Sequence, residues 1–228
     1  MPLMRYAFGG ALCLVAVINA AVGSAWYLAV AVAVVGMAIV LGRRRIFRAG
    51  IARTPDSIVC RYIPWQEGNA YVLNLGLPLL AVASIAASYT PGYPAWMRFV
   101  GIILLVLTPL FTYAAFRMWH RCVLRFTPAA LTVRLAGRGD QLTAISRERL
   151  QSITPKMIPN TINGGPSQQV EITYRPMDSP DGAVKDILVG LQFTVQPANL
   201  LNALLAWKDA YDDHPEQLLD RIELLLRG

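Results

Sequence analysis

Four apolar runs without a single charged residue occupy Tyr6 to Val22, Ala25 to Leu41, Tyr71 to Ser88 and Phe99 to Phe116. Bilayer hydrocarbon about 30 Å thick asks for about 20 apolar residues per helix, with a lower limit near 17. The first two runs hold 17 residues each. Fused into one helix they would overshoot the bilayer nearly twofold, so Val22-Gly23-Ser24 reads as the break in a helical hairpin. Trp26 and Tyr27 then fall at an interface, where aromatic rings settle. The pattern predicts a transmembrane domain over residues 1–120, with four spans arranged as two hairpins (about 6–22, 25–41, 71–88 and 99–116) and a basic loop over 43–70.

From about Arg121 the period shortens to two, the signature of half-buried strands. Cys122, Leu124 and Phe126 alternate with Val123 and Arg125; after the turn Thr127-Pro128-Ala129-Ala130, Leu131, Val133 and Leu135 do the same. Gly137-Arg138-Gly139-Asp140 reads as a turn, and short strands follow near Leu142 to Ile145 and Leu150 to Ile153. Residues Lys156 to Ser167 read as the longest irregular stretch. Gln169 to Arg175 and Asp186 to Val195 are the clearest strands, the second with Ile187, Val189, Leu191, Phe193 and Val195 on one face. A helix is expected from Pro197, since proline suits the first helical turn. Its apolar stripe is Leu200, Leu201, Leu204, Leu205 and Tyr211. Asp213-His214-Pro215-Glu216 resembles a capping arrangement for a last helix with Leu218, Leu219, Ile222, Leu225 and Leu226 inward.

Charge turns the apolar runs into a topology. Residues 1–125 hold 11 arginines and two acids (+9), whereas residues 126–228 hold 10 basic and 12 acidic residues (−2). The net +7 therefore sits beside the membrane and argues against a nucleic-acid partner. Arg43, Arg44, Arg45, Arg48, Arg53 and Arg61 crowd the loop after the second run, and Arg117, Arg121 and Arg125 follow the fourth, while the other side offers only Arg98. The positive-inside rule places both termini and the 43–70 loop in the cytoplasm. Arg43, Arg44, Arg45 and Arg48 serve either topology or lipid headgroups, each charge near an anionic leaflet contributing about 1 kcal/mol. Trp65, Trp96 and Trp119 are expected as interfacial anchors. A rival reading makes Met1 to Ala25 a cleaved signal peptide ending at Gly23-Ser24-Ala25, which removes one helix.

Chemistry is sparse. The spans lack the intramembrane charge that ion-coupled transport needs. Their polar content is Asn19, Asn74, a few Ser and Thr, and the helix-kinking Pro78 and Pro109. Ala29 with Ala33, and Ala83 with Ala87, give four-residue small spacings that permit close helix contact. Cys13, Cys60 and Cys122 have neither disulfide nor metal spacing and read as small apolar residues. His120 reads as an interfacial side chain; Asp178/Asp181 and Asp209/Asp212/Asp213 read as solvated charge. Phosphate-loop and nucleophile-elbow motifs are absent, so no catalytic residue, metal or cofactor is expected. The stretch Ile58 to Tyr71 stays open between an interfacial strand or re-entry turn and a docking strip against the C-terminal domain or a partner.

The strand-turn-strand Phe126-Thr127-Pro128-Ala129-Ala130-Leu131-Thr132-Val133, then Ile145-Ser146-Arg147-Glu148-Arg149-Leu150-Gln151-Ser152-Ile153, then a long strand into the leucine-rich helix at Pro197, resembles the bacterial PH-like domains attached to membrane spans. The resemblance covers roughly residues 121 to 211 and implies a bent β-sandwich or barrel capped by a C-terminal helix and used for protein or lipid contacts. The chain departs from that pattern by a second terminal helix. Its basic residues Arg134, Arg138, Arg147, Arg149 and Lys156 are spread out and form no clear phosphoinositide pocket. The expected fold class is a multi-pass α-helical membrane protein with a cytoplasmic α+β domain, PH-like, over 121–228. It implies a bacterial plasma membrane, with lipids and either protein partners or a second copy of the chain as partners. The expected role is that of a non-enzymatic accessory, scaffold or assembly subunit. The alternative is a channel or lipid-handling protein with a cleft between the proline-containing third and fourth spans, and a membrane enzyme would need polar groups converging between Trp65 and Asn74.

Overall fold

The computed structural model describes residues 2–42, 46, 49–137, 142–159, 166–177, 183–190, 192–210 and 214–228. They form two compact units, one of residues 1–48 and 64–116, the other of residues 49–63 and 117–228.

The first unit is helical: α1 (Pro2–Ala21), α2 (Trp26–Leu41), α3 (Gly68–Tyr71), α4 (Leu77–Ala87) and most of α5 (Trp96–Arg121). The break between α1 and α2 falls where the sequence puts it. Gly23 takes a positive φ of 76°, and Ser24 N–H returns to the Asn19 carbonyl at 3.0 Å. The two helices close on small residues. A Cβ on Gly36 would stand 2.8 Å from Cys13 Sγ and 3.0 Å from the Gly9 carbonyl, and Ala16 and Ala29 are buried. Arg5 Nε donates to the Ile39 carbonyl, setting a cation at the negative end of α2.

Pro78 shapes the next rod. Having no N–H, it cannot continue the usual ladder. Val72–Gly76, just before it, winds as a π-helix in which Leu77 N–H reaches the Val72 carbonyl. With α3 and α4 it forms a continuous 20-residue helix, Gly68–Ala87. Helix α5 runs 26 residues and leaves nearly all its large side chains exposed.

Three helical stretches, Leu3–Ala21, Gly68–Ala87 and Trp96–Arg121, are long and apolar enough to cross a membrane. The second of the four apolar runs becomes a 16-residue helix. At 1.5 Å per residue it rises about 24 Å, short of the hydrocarbon thickness.

The second unit is β-rich. One antiparallel sheet has five strands in order: β1 (Gly50–Thr54), β2 (Ser57–Arg61), β3 (Val123–Phe126), β4 (Ala130–Arg134) and β5 (Thr143–Ser146). A second joins β6 (Leu150–Pro159), β7 (Pro166–Tyr174) and β8 (Lys185–Val189). Helices α6 (Pro197–Asp209) and α7 (Pro215–Arg227) complete it. Phe126, Leu131, Ile145, Ile172, Leu200, Trp207 and Ile222 are among its fully buried side chains.

Three sequence expectations change here. The 43–70 loop supplies β1 and β2, and Ile58 pairs with Phe126 and Cys60 with Leu124. The division between domains is therefore not a single cut at 120/121, because residues 49–63 join the β unit. Of the stretch Ile58 to Tyr71, only Ile58 to Arg61 pairs with the C-terminal domain, and Pro64 onward is helical and belongs to the other unit. Counting by unit, the helical part carries +5 and the β part +2, so the β part is not acidic: Arg53, Arg61, Arg117, Arg121 and Arg125 belong to it.

Lys156 to Pro159, read as irregular, extends β6. Pro155 and Pro159 are tolerated because β6 is an edge strand. The strand expected to reach Val195 stops at Val189; at Gly190, which follows, a Cβ would stand 3.2 Å from Gln169 Cα. Phe193 and Val195 are still buried, though not on a strand. The turn at Gly139-Asp140, the loop Asn160–Gly165, Leu191, Tyr211, Asp178, Asp181, Asp212 and Asp213 lie outside the described residues. His214, which opens α7, makes no side-chain cap.

Candidate functional site

Aromatic and basic residues gather at the two ends of the helical unit. At one end, Tyr27 packs edge-on to Tyr93 with ring centroids 5.6 Å apart, above buried Ala83 and Ala87. Arg98 lies over the Tyr89 ring at 4.4 Å, a cation–π contact. Trp26 and Trp96 are exposed here. The opposite end holds Arg5 at the close of α2, exposed Trp65 in the 3₁₀ turn Pro64–Gln66, and the chain leading into Arg43, Arg44, Arg45 and Arg48. Those four arginines lie outside the described residues. Ile46, between them, is tied by its N–H to the Gln66 carbonyl at 2.6 Å, and Gln66 is buried. Trp119, in the last turn of α5, is half exposed beside His120, with ring centroids 4.9 Å apart. Trp96 and Trp119 are 23 residues apart on one helix, a rise of about 35 Å that matches a bilayer core with its interfaces.

Between the ends, a polar node joins the two proline helices. Asn74 Nδ2 donates to the Ala70 carbonyl at 2.7 Å, and the Thr112 hydroxyl is 2.9 Å from Asn74 Oδ1. Further along, a Cβ on Gly101 would stand 2.7 Å from the Ala81 carbonyl, so α4 and α5 approach closely there. The opening lies elsewhere, between α2 and the π segment. It is an apolar groove of about 400 Å³ whose walls include Val34, Met37, Leu41, Ile46, Leu75 and Leu79, with Gly76 on its floor.

In the β unit, polar side chains serve the fold. Arg147 donates to the carbonyls of Ala210 and, at 2.8 Å, Pro128, and its guanidinium lies 5.2 Å from the Trp207 ring centre. Trp207 Nε1 donates to the Thr127 carbonyl at 2.7 Å. Arg53, on β1, pairs with Asp220 of α7 at 2.9 Å. Lys156 pairs with Glu171. Cys60 and Cys122 are buried, and burial pushes the Cys60 thiol up to about 12. Cys122 Sγ and Ala136 N–H both reach Gln192 Oε1, at 3.4 and 3.0 Å. Thr194 accepts from Gly50 N–H at 2.9 Å and donates to the Arg61 carbonyl at 3.1 Å. Gln192 and Thr194 thus tie the segment after β8 to the strand ends of the five-stranded sheet, a role the alternating pattern hides. Among the described residues no group of three or more His, Cys, Asp or Glu is placed to hold a metal ion. Compared with known proteins, the chain matches no family model and no curated protein.

Proposed function

We propose that the chain is a four-span membrane protein that holds its β unit at the cytoplasmic face as a non-enzymatic scaffold or assembly subunit. The observation that carries this reading is the path of the chain. It passes between the units at 48/49, 63/64 and 116/117, and the β1–β2 hairpin is part of the five-stranded sheet. Three covalent tethers suit a domain displayed at a fixed place beside the bilayer better than one that roams on a flexible arm. Two sheets, a buried core and α6 against the Thr127-Pro128 corner support the PH-like resemblance; β1, β2 and α7 are additions to it.

The fourth crossing is assigned to α2. Its antiparallel packing on α1, the Arg5–Ile39 contact and the arginines that follow all favour a return to the side on which α1 begins. The same interlocking favours retention of residues 1–25 over their cleavage.

Every lysine in the chain, Lys156, Lys185 and Lys208, belongs to the β unit. A lysine-directed cross-linker applied to membranes at native expression therefore reports on that unit. Cross-links from these lysines to a second polypeptide, or to a second copy, are expected. Intrachain links alone, with a monomeric mass after mild detergent extraction, contradict the proposal.

A further inference from the structure

We propose that α5 and the helix Gly68–Ala87 form a hinged pair, pinned at Gly101, latched by the Asn74–Thr112 hydrogen bond, and parting at the latched end when that bond lets go. The pin is steric. Gly101 and Ala81 are buried, and a Cβ on Gly101 would stand 2.6 Å from Ile85 Cγ1 and 2.7 Å from the Ala81 carbonyl. The soft points are Pro78 and Pro109, each of which removes one N–H from the ladder of its helix. Val72–Gly76, beside Pro78, is wound as a π-helix, a further cause of bending. Chain order puts pin and latch on opposite sides of both prolines. In one helix Asn74 precedes Pro78 and Ala81 follows it; in the other Gly101 precedes Pro109 and Thr112 follows it. Bending at the two prolines therefore moves the latched ends apart while the pinned ends stay in contact, opening a lipid-facing cleft.

The latch is built to release. A threonine hydroxyl carries one proton. Thr112 has two acceptors within reach of it, Asn74 Oδ1 at 2.9 Å and the Thr108 carbonyl of its own helix at 3.0 Å. When the helices part, the proton passes wholly to the Thr108 carbonyl, and the Thr112 hydroxyl stays satisfied. Asn74 also keeps its anchor. Its Nδ2 donates to the Ala70 carbonyl at 2.7 Å, which fixes the amide with its oxygen turned towards Thr112. Parting therefore strands a single acceptor, Asn74 Oδ1. In lipid no water replaces the lost donor, so that one atom biases the pair towards the closed state. The Thr108 hydroxyl is held by the Leu104 carbonyl at 2.9 Å and does not compete.

The inference rests on the membrane placement of the helical unit and is independent of what the β unit docks. The test uses the full-length chain, with Cys13, Cys60 and Cys122 replaced, in phosphatidylcholine–phosphatidylglycerol vesicles. One nitroxide pair, Leu75→Cys with Tyr113→Cys, reads the latched end, and another, Val82→Cys with Ile103→Cys, reads the pinned end. All four positions are exposed. Thr112→Val keeps the shape of the side chain and removes the proton. It should add a longer component to the spin–spin distances at the latched end and leave the pinned end unchanged. Thr112→Ser, which restores the hydroxyl, should return the latched end to the distribution of the unmodified chain. Pro78→Ala with Pro109→Ala, added to Thr112→Val, should abolish the longer component by stiffening both helices. An unchanged latched end in Thr112→Val overturns the proposal. Equal broadening at both ends, or a longer component that survives the two proline replacements, overturns it as well.

Discussion

The two units solve packing in opposite ways. In the β unit the largest side chains point inward: Trp207, Phe126, Leu124, Leu204 and Ile222 are essentially inaccessible. In the helical unit the small ones do: Ala81, Ala83, Ala87, Ala16 and Ala29 are buried, while Phe8, Leu14, Phe99, Ile103 and Phe116 face outward. Water drives the first arrangement by expelling apolar surface. In lipid that drive between helices is missing, and close contact of small residues, with a few interhelical hydrogen bonds, takes its place. One chain thus carries both rules, switching at 48/49, 63/64 and 116/117.

The comparison can be broken from either side. Trp207→Ala removes a fully buried ring of the β unit together with its bond to Thr127. It should cost about 3–5 kcal/mol, read as a lowered denaturation midpoint of the detergent-solubilised protein. Truncating Phe99, also aromatic but exposed on α5, should change that midpoint little. Gly101→Leu attacks the helical unit by enlargement instead, driving carbon into the Ala81 carbonyl and Ile85. Overpacking of this kind costs about 1–3 kcal/mol, measurable as faster proteolysis between Ala87 and Trp96. Asn74→Ala deletes the polar link to Thr112 and should cost about 0.6 kcal/mol, rising to about 1.7 at most, in a double-mutant cycle with Thr112→Val.

Titration sharpens the same contrast. Cys60 is buried where β2 meets β3, and its pKa moves from the ordinary 9.0 to about 12. The folded state then holds the proton more tightly than the unfolded chain. Stability from this group is complete below pH 9 and falls as the pH rises from 9 towards 12. A thiol reagent at neutral pH should leave Cys60 unmodified until the β unit unfolds, with the modified fraction following the unfolding curve.

How much of this was legible beforehand depended on whether one face of an element stayed wet. Strands β3, β4 and β7 and helices α6 and α7 each have one buried and one less buried side, so their periodicity survives in the sequence. Strand β2 does not: Ser57, Ile58, Val59 and Cys60 are all buried, and burial on both faces erases the period of two. Its partner β3 lies more than 60 residues away in sequence, beyond any local signal. The close contacts of Gly9 with Gly36 and of Gly101 with Ala81 were hidden because small residues are abundant throughout the helices, and the spacing rule picked out Ala29, Ala83 and Ala87 but not the glycines. Pro78 and Pro109 were visible as kink sites. The π turn that opens the groove towards α2, instead of towards α5, comes from Gly76 facing Val34, a tertiary fact.

The number of crossings is the central claim, and it can be counted by labelling from each side of the membrane. Single cysteines replace Leu3, Gly92 and Met157 in a cysteine-free background, Leu3 and Met157 being strongly exposed positions. A membrane-impermeant maleimide is applied to intact cells and to inverted vesicles. With four spans, Gly92→Cys labels only from outside, whereas Leu3→Cys and Met157→Cys label only in inverted vesicles. If Leu3→Cys and Met157→Cys label from opposite sides, the number of crossings is odd, α2 does not span, and the account is wrong.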